Sequence, residues 1–185
     1  MTKISRRGFA LGAVATTSLA ACGNGIGSTG AATIDARVAS TLNSMYANYP
    51  GTRQLADRAS GILVMPLVTE VGLGLGGSFG RGALLVGPST VDYYAAASGS
   101  AGLQIGAQQF SHVLFFMTNE ALQEFRASQG WAAGADIEYA FRDQSEMLRA
   151  ETTTSLAPVI AIVFAQTGLR VGATLEGTKY TRIIP

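Results

Sequence analysis

Three arrangements in this chain have residue types and spacings that suit chemistry. Gly72-x-Gly74-x-x-Gly77, inside "GLGLGGSFGRGALLVG", fits the G-x-G-x-x-G turn that holds a dinucleotide's pyrophosphate. Asp136 and Glu138 lie two apart and would share one face of a strand, as a carboxylate pair does in glycoside chemistry. His112 is the one histidine and so the one candidate imidazole base. Each needs a particular setting to work. A phosphate turn must sit between a strand and the helix it opens. Here Val71, Leu73 and Leu75 alternate with Gly72, Gly74 and Gly76, and another strand pattern, "RGALLVG", follows. That is strand periodicity, with an aliphatic face and a bare face. Carboxylate pairs on exposed strands are usually just solvated, and nothing else supports the pair. His112 sits in an apolar strand pattern with Phe110, Val113, Leu114, Phe115 and Phe116, where a structural role is the ordinary one.

The chain also lacks H-E-x-x-H, G-x-S-x-G and P-loop motifs. Its one cysteine, Cys22, permits no internal disulfide and no cysteine-based zinc site. The expectation is a protein with no catalytic residues, no metal and no cofactor, not an enzyme.

Cys22 closes the leader "MTKISRRGFALGAVATTSLAAC". A basic start (Lys3, Arg6, Arg7), an apolar run over residues 9–19 and small residues before the cysteine have the layout of a secretory signal. The run is too short to span a bilayer as a permanent helix. "SRRGFA" resembles a twin-arginine export signal carried by Arg6 and Arg7, although Ala10 stands where a bulkier residue is usual. "LAAC" resembles a lipobox, which implies that Cys22 becomes the acylated first residue of a lipoprotein. With Gly23 rather than Asp after the cysteine, the expected address is the cell envelope, at the outer membrane facing the periplasm.

Removing residues 1–21 takes away three of the 13 basic residues and no acid, leaving 10 against 12, a formal charge of −2. A mildly acidic domain lacks the clustered cations that nucleic acid requires. At 185 residues, 14% of them charged, the chain has room for one domain with a real core.

The elements that must position these residues read as follows. Residues 22–33 are Gly/Ser-rich and expected to be a flexible tether from membrane to domain. Ile34, Val38, Thr41, Leu42, Met45 and Tyr49 mark one face of an amphipathic helix capped by Thr33 and stopped by Pro50-Gly51. With Asp35, Arg37, Asn43 and Asn48 opposite, it is too weakly basic for a membrane-surface helix, and packing on the domain is expected. "GILVMP" reads as a short buried strand ending at Pro66, and "RGALLVG" as a return strand after a turn near residues 78–82. "TVDYYAAAS" and "GLQIGAQQFSHVLFFM" read as further strands. "TNEALQEFRASQG" reads as a helix capped by Thr118, with Leu122 and Phe125 inward. Residues 131–141 suggest a strand, residues 142–155 are polar and ambiguous, and the end carries two or three strands with turns near 166–168 and 177–179. "GLGLGG", "GLQIGA" and "GLRVGA", starting at Gly72, Gly102 and Gly168, share the form G-L-x-[LIV]-G-[GA]. They are expected to be related strands of one curved sheet, bare glycine faces allowing a crossing strand, a ring or a lipid chain to come close.

The fold class expected is therefore α+β, in a single domain over residues 34–185. It holds a mostly antiparallel, strongly curved, barrel-like glycine-rich sheet with flanking helices. Over residues 55–185 the chain resembles the SYLF domain family, a lipid-binding and actin-regulator domain. The resemblance is carried by "ASGILVMPLVTEVGLGLGGSFGRGALLV", "SAGLQIGAQQFSHVLFFM" and "FAQTGLRVGATLEGTK" in that order. It implies a non-enzymatic module whose partner is membrane lipid, with anionic phospholipid as one candidate. Eukaryotic relatives bind phosphoinositides partly through a basic amphipathic N-terminal segment, and some bind actin. The helix at 33–49 departs from that pattern, with one Arg and one Asp. Arg53, Arg58, Arg81 and Lys179 are the candidate headgroup contacts. The rival expectation is a structural or protein-interaction lipoprotein with no lipid beyond its own anchor.

Overall fold

The computed structural model describes residues 28–134, 137–139, 157–165, 168–169, 175 and 177–185. Two helices come first, α1 (Gly30–Asn48) and α2 (Thr52–Arg58). A long hairpin follows, made of β1 (Gly61–Val86) and β2 (Ser89–Phe116). Then come α3 (Asn119–Ala127), β3 (Trp131–Ala132), β4 (Ile137–Tyr139), β5 (Val159–Ala165), β6 (Gly168–Leu169) and β7 (Lys179–Ile183).

The hairpin differs from the sequence expectation in length. Pro66 does not end a strand, no turn falls near 78–82, and "TVDYYAAAS" and "GLQIGAQQFSHVLFFM" are one strand. Pro66 is tolerated because it lies in a register shift, between the pairs Met65–His112 and Val68–Phe110, where its missing N–H breaks no ladder bond. Its carbonyl accepts a 2.7 Å hydrogen bond from Ser111 Oγ. The real turn is Gly87-Pro88, between the paired residues Val86 and Ser89. Gly87 has φ +58°, the left-handed setting that the first residue of a II′ hairpin turn gives to glycine.

β2 is the spine of one seven-stranded sheet. β1 pairs along one of its edges. On the other edge β7 pairs with residues 93–97 and β5 with residues 111–116. All of these ladders are antiparallel; the short β4 joins β5 in parallel. The architecture is thus the mostly antiparallel, curled α+β sheet with flanking helices that the alternation and glycines indicate.

The hairpin folds back on itself, and two glycines show where. A Cβ on Gly80 would lie 2.7 Å from Val68 Cγ2 and 2.8 Å from the Leu67 carbonyl oxygen. One on Gly82 would run into the Val64 carbonyl oxygen. The second half of β1 therefore crosses its own first half at backbone distance, which requires the missing side chains. The crossing strand meets Gly80 and Gly82, which the sequence reading places in a turn, and not the face of Gly72, Gly74 and Gly76 for which it allows a close neighbour.

The curl gives the sheet two faces. Leu63, Met65, Val68, Leu84, Tyr94, Ala96, Leu114, Phe116, Ala161 and Val163 point to the concave side, where α3 inserts Leu122 and Phe125. Val64, Ala83, Val113, Phe115, Ile160 and Ile162 point to the convex side, which α1 covers with Ile34, Val38 and Met45. Coverage on both sides explains why "ILVM", "VLFF" and "VIAIVFA" are continuous apolar runs rather than alternating ones. Phe125 is the centre of an aromatic cluster, with ring centroids 4.7 Å from Tyr94, 4.8 Å from Phe116 and 5.4 Å from Trp131.

Helix ends follow their residues. Thr118 caps α3, its hydroxyl accepting from the Ala121 N–H, as its sequence indicates. α1 begins at Gly30, ahead of the expected cap Thr33, whose hydroxyl instead donates to the Thr29 carbonyl within the first turn. Asp35 fastens α1 to the hairpin end, accepting from Tyr93 Oη at 2.9 Å and Thr90 Oγ1 at 3.1 Å. The polar stretch at 142–155 lies outside the described residues.

Candidate functional site

His112 pairs with Met65 and Val163 in the middle of the sheet and is 1% exposed. Its Nε2 shares a 2.8 Å hydrogen bond with Tyr180 Oη on β7. The Phe110 ring lies 6.0 Å away and the Tyr180 ring 5.8 Å, edge-on. Burial pushes the imidazole pKa down to about 3, so the ring is neutral at any physiological pH. Nδ1 has no hydrogen-bond partner among the described residues. This histidine is a polar rivet between two distant parts of the sheet, sealed from any substrate in solution.

Gly72, Gly74 and Gly77 lie inside β1 with no helix after them, so the spacing does not form a phosphate turn. The repeats at Gly72 and Gly102 are hydrogen-bonded to each other, Gly72 opposite Gly106 and Gly74 opposite Gly102. The third repeat starts β6, which pairs with the end of β5. Glu138 is on β4; Asp136, Cys22, Arg6 and Arg7 lie outside the described residues. Among the described residues no three His, Cys, Asp or Glu side chains gather as metal ligands. No described helix is long and apolar enough to cross a membrane.

The four candidate headgroup cations fall into two places. Arg53 and Arg58 are on α2, and the Arg53 guanidinium lies 4.8 Å from the centroid of the Tyr46 ring, a cation–π contact. Arg81 and Lys179 lie on the same convex face of the sheet, on β1 and β7 with β2 between them. Phe79, Ala97 and Lys179 form one row across β1, β2 and β7, and Arg81, Ala95 and Thr181 form another. Neighbouring strands stand about 4.8 Å apart, so two strands separate Phe79 from Lys179 by about 10 Å. Both cations are exposed, as are Ala97, Thr181 and Ala132 beside them. The carbon stem of Lys179 lies against Gly130, which has no side chain to displace it.

Phe79 is the residue that sequence pattern alone does not single out. A turn expected at 78–82 conceals that alternation runs on from Val71 to Phe79. Both have the parity opposite to Val68 and Gly80, and both are exposed, Val71 by 54% and Phe79 by 52%. At these two positions the apolar side chain faces outward, while Val68 and Gly80 are buried.

Asp92, Arg126 and Arg182 form an ion-pair group. Asp92 accepts from Arg126 Nε at 3.1 Å and stands 3.4 Å from Arg182 Nε, tying α3 and β7 to the hairpin.

Residues 97–182 match a family model described as Ysc84, Las17-binding protein actin regulator. Over these residues the chain is similar to the SYLF domain family. The match begins within β2 and ends within β7, so it takes in His112, Tyr180 and Lys179. β1 precedes the match, yet it is hydrogen-bonded to the SYLF segment from Ala97 onward. No curated protein matches the chain.

Proposed function

We propose that this protein is a non-catalytic SYLF module that binds membrane lipid and is itself held in the cell envelope by a lipid on Cys22. The family match over residues 97–182 carries the reading, since SYLF domains are associated with lipid binding. The leader supports the location: basic residues, an apolar run and "LAAC" point to export, with Arg6 and Arg7 as the twin-arginine pair and acylation at Cys22. On this reading the chain begins at Cys22 after processing and faces the periplasm from the outer membrane. The absence of catalysis is supported by the state of His112, neutral and walled in by Phe110, Tyr180 and the sheet.

Two experiments test this. Cys22→Ser should move the protein from the membrane fraction to the soluble fraction of lysed cells, and unchanged membrane retention would exclude the anchor. The unacylated chain should sediment with anionic vesicles. Binding to neither anionic nor zwitterionic vesicles at low salt would favour a structural lipoprotein with no lipid ligand.

A further inference from the structure

We infer that the end of the sheet carrying Val91, Ile184 and the Gly87-Pro88 turn is the part of the domain that rests on the bilayer holding the Cys22 lipid. This rests on the reading of Cys22 as acylated and specifies which end of the domain is drawn down.

Three segments far apart in sequence meet at this end. The hairpin turns at Gly87-Pro88, between Val86 and Ser89. β7 runs beside it with Ile183 opposite Tyr93, which brings Ile184 and Pro185 level with Asp92 and Val91. α1 starts here as well, because Asp35 in its second turn accepts from Thr90 Oγ1 and Tyr93 Oη. Ahead of α1, Ser28 Oγ donates to the Pro185 carbonyl at 3.0 Å. A Cβ on Gly30 would lie 2.9 Å from the Pro185 carbonyl carbon, so the two backbones touch. The segment that leads from Cys22 therefore joins the domain at this end.

The composition of the three segments is uniform. Residues 24–34, 82–91 and 183–185 contain no Asp, Glu, Lys or Arg. Val91 is 39% exposed and Ile184 74%, and Gly87 and Pro88 are exposed between them and the solvent. Of the charges that border this end, Asp35 is held by two hydroxyls and Asp92 pairs with Arg126 and Arg182. An uncharged, apolar end suits the headgroup boundary, where exposed aliphatic side chains leave water.

The tether selects the bilayer over a second copy or a protein partner. Six peptide units separate Cys22 from Ser28, and they span at most about 20 Å. A lipid on Cys22 keeps this end within that reach of the membrane, and at such proximity a small apolar contact suffices to hold it down. Val71 and Phe79 are also exposed, but Phe79 lies eight residues from Gly87 along β1, roughly 25 Å at the rise of a strand.

The test uses the full chain produced with its leader, purified in detergent and reconstituted into phosphatidylcholine vesicles with or without brominated acyl chains. Mass spectrometry reports the lipid on Cys22. Trp131 is the one native tryptophan, so Ile184→Trp adds a reporter at this end and Phe79→Trp adds one up the sheet. Both positions are exposed, so both variants keep the parent's thermal transition. In brominated vesicles Ile184→Trp should lose emission beyond the loss seen in the parent, and its maximum should be shifted to the blue. Phe79→Trp should lose no more than the parent. Adding Val91→Asp to Ile184→Trp should restore the emission, because a carboxylate is disfavoured at that depth. Loss that persists with Val91→Asp would overturn the apolar contact. Acylated protein that shows no added loss at Ile184→Trp, or a greater loss at Phe79→Trp, would overturn the placement while the anchor stands. A chain that carries no lipid on Cys22 and stays out of the vesicles would overturn both.

Discussion

Tyr180 Oη and His112 Nε2 are 2.8 Å apart across the inside of the curl, although their strands are not neighbours at that level. Tyr180 pairs with Ala96 near the start of β2, whereas His112 lies near its end, flanked by β1 and β5. The bond therefore reports that the two ends of β2 face each other. Tyr180→Phe would keep the ring packing on Trp131 and Phe125 and leave the imidazole short of a partner. A loss of about 1–3 kcal/mol is expected in urea unfolding. An unchanged midpoint would mean that the bond contributes nothing to closing the curl.

The same histidine makes stability depend on pH. Its folded pKa is about 3, below the ordinary value of 6.5 that it regains on unfolding. Between those values the unfolded chain binds the extra proton, so its contribution is intact above pH 6.5 and is lost as pH falls toward 3. The slope should approach about 1.4 kcal/mol per pH unit. Unfolding curves at about pH 7, 6 and 5, where carboxylates contribute little, isolate this effect. In His112→Gln the slope over that interval should vanish; its persistence would assign it to other groups.

The glycines differ in what they permit. Gly82→Ala drives a methyl into the Val64 carbonyl oxygen and should destabilise the protein by about 1–3 kcal/mol or more. Gly99→Ala meets nothing within 4 Å and sits on a strand without a positive φ, so it should be neutral or slightly stabilising. Chemical denaturation of the pair separates a glycine needed for strand crossing from one that is only a weak strand former. Equal effects would contradict the crossing.

What sequence pattern conveys and what it hides have physical reasons. The α3 cap at Thr118, the inward Leu122 and Phe125, and the strand character of 71–76 are legible because each follows from local hydrogen bonding or alternation. Pro66 and the glycines at 80 and 82 look like punctuation and are not. Pro66 occupies a register shift, and Gly80 and Gly82 serve an approach between distant residues, which local pattern does not encode. Among the described residues the glycines with positive φ are Gly87 and Gly177, at +58° and +75°. His112 is legible as structural, but Tyr180 as its partner is not, because the contact depends on the curl. Arg53, Arg58, Arg81 and Lys179 are visible in the sequence only as separate cations. Their division depends on β7 joining β2 beside residues 93–97, a pairing made at long range.

Lipid binding by the SYLF module is most directly tested by co-sedimentation of the unacylated chain, Cys22→Ser from residue 22, with anionic and zwitterionic vesicles at low salt. The expected result is binding to the anionic vesicles that weakens as salt is raised, with little binding to the zwitterionic ones. Protein left wholly in the supernatant with both would contradict it.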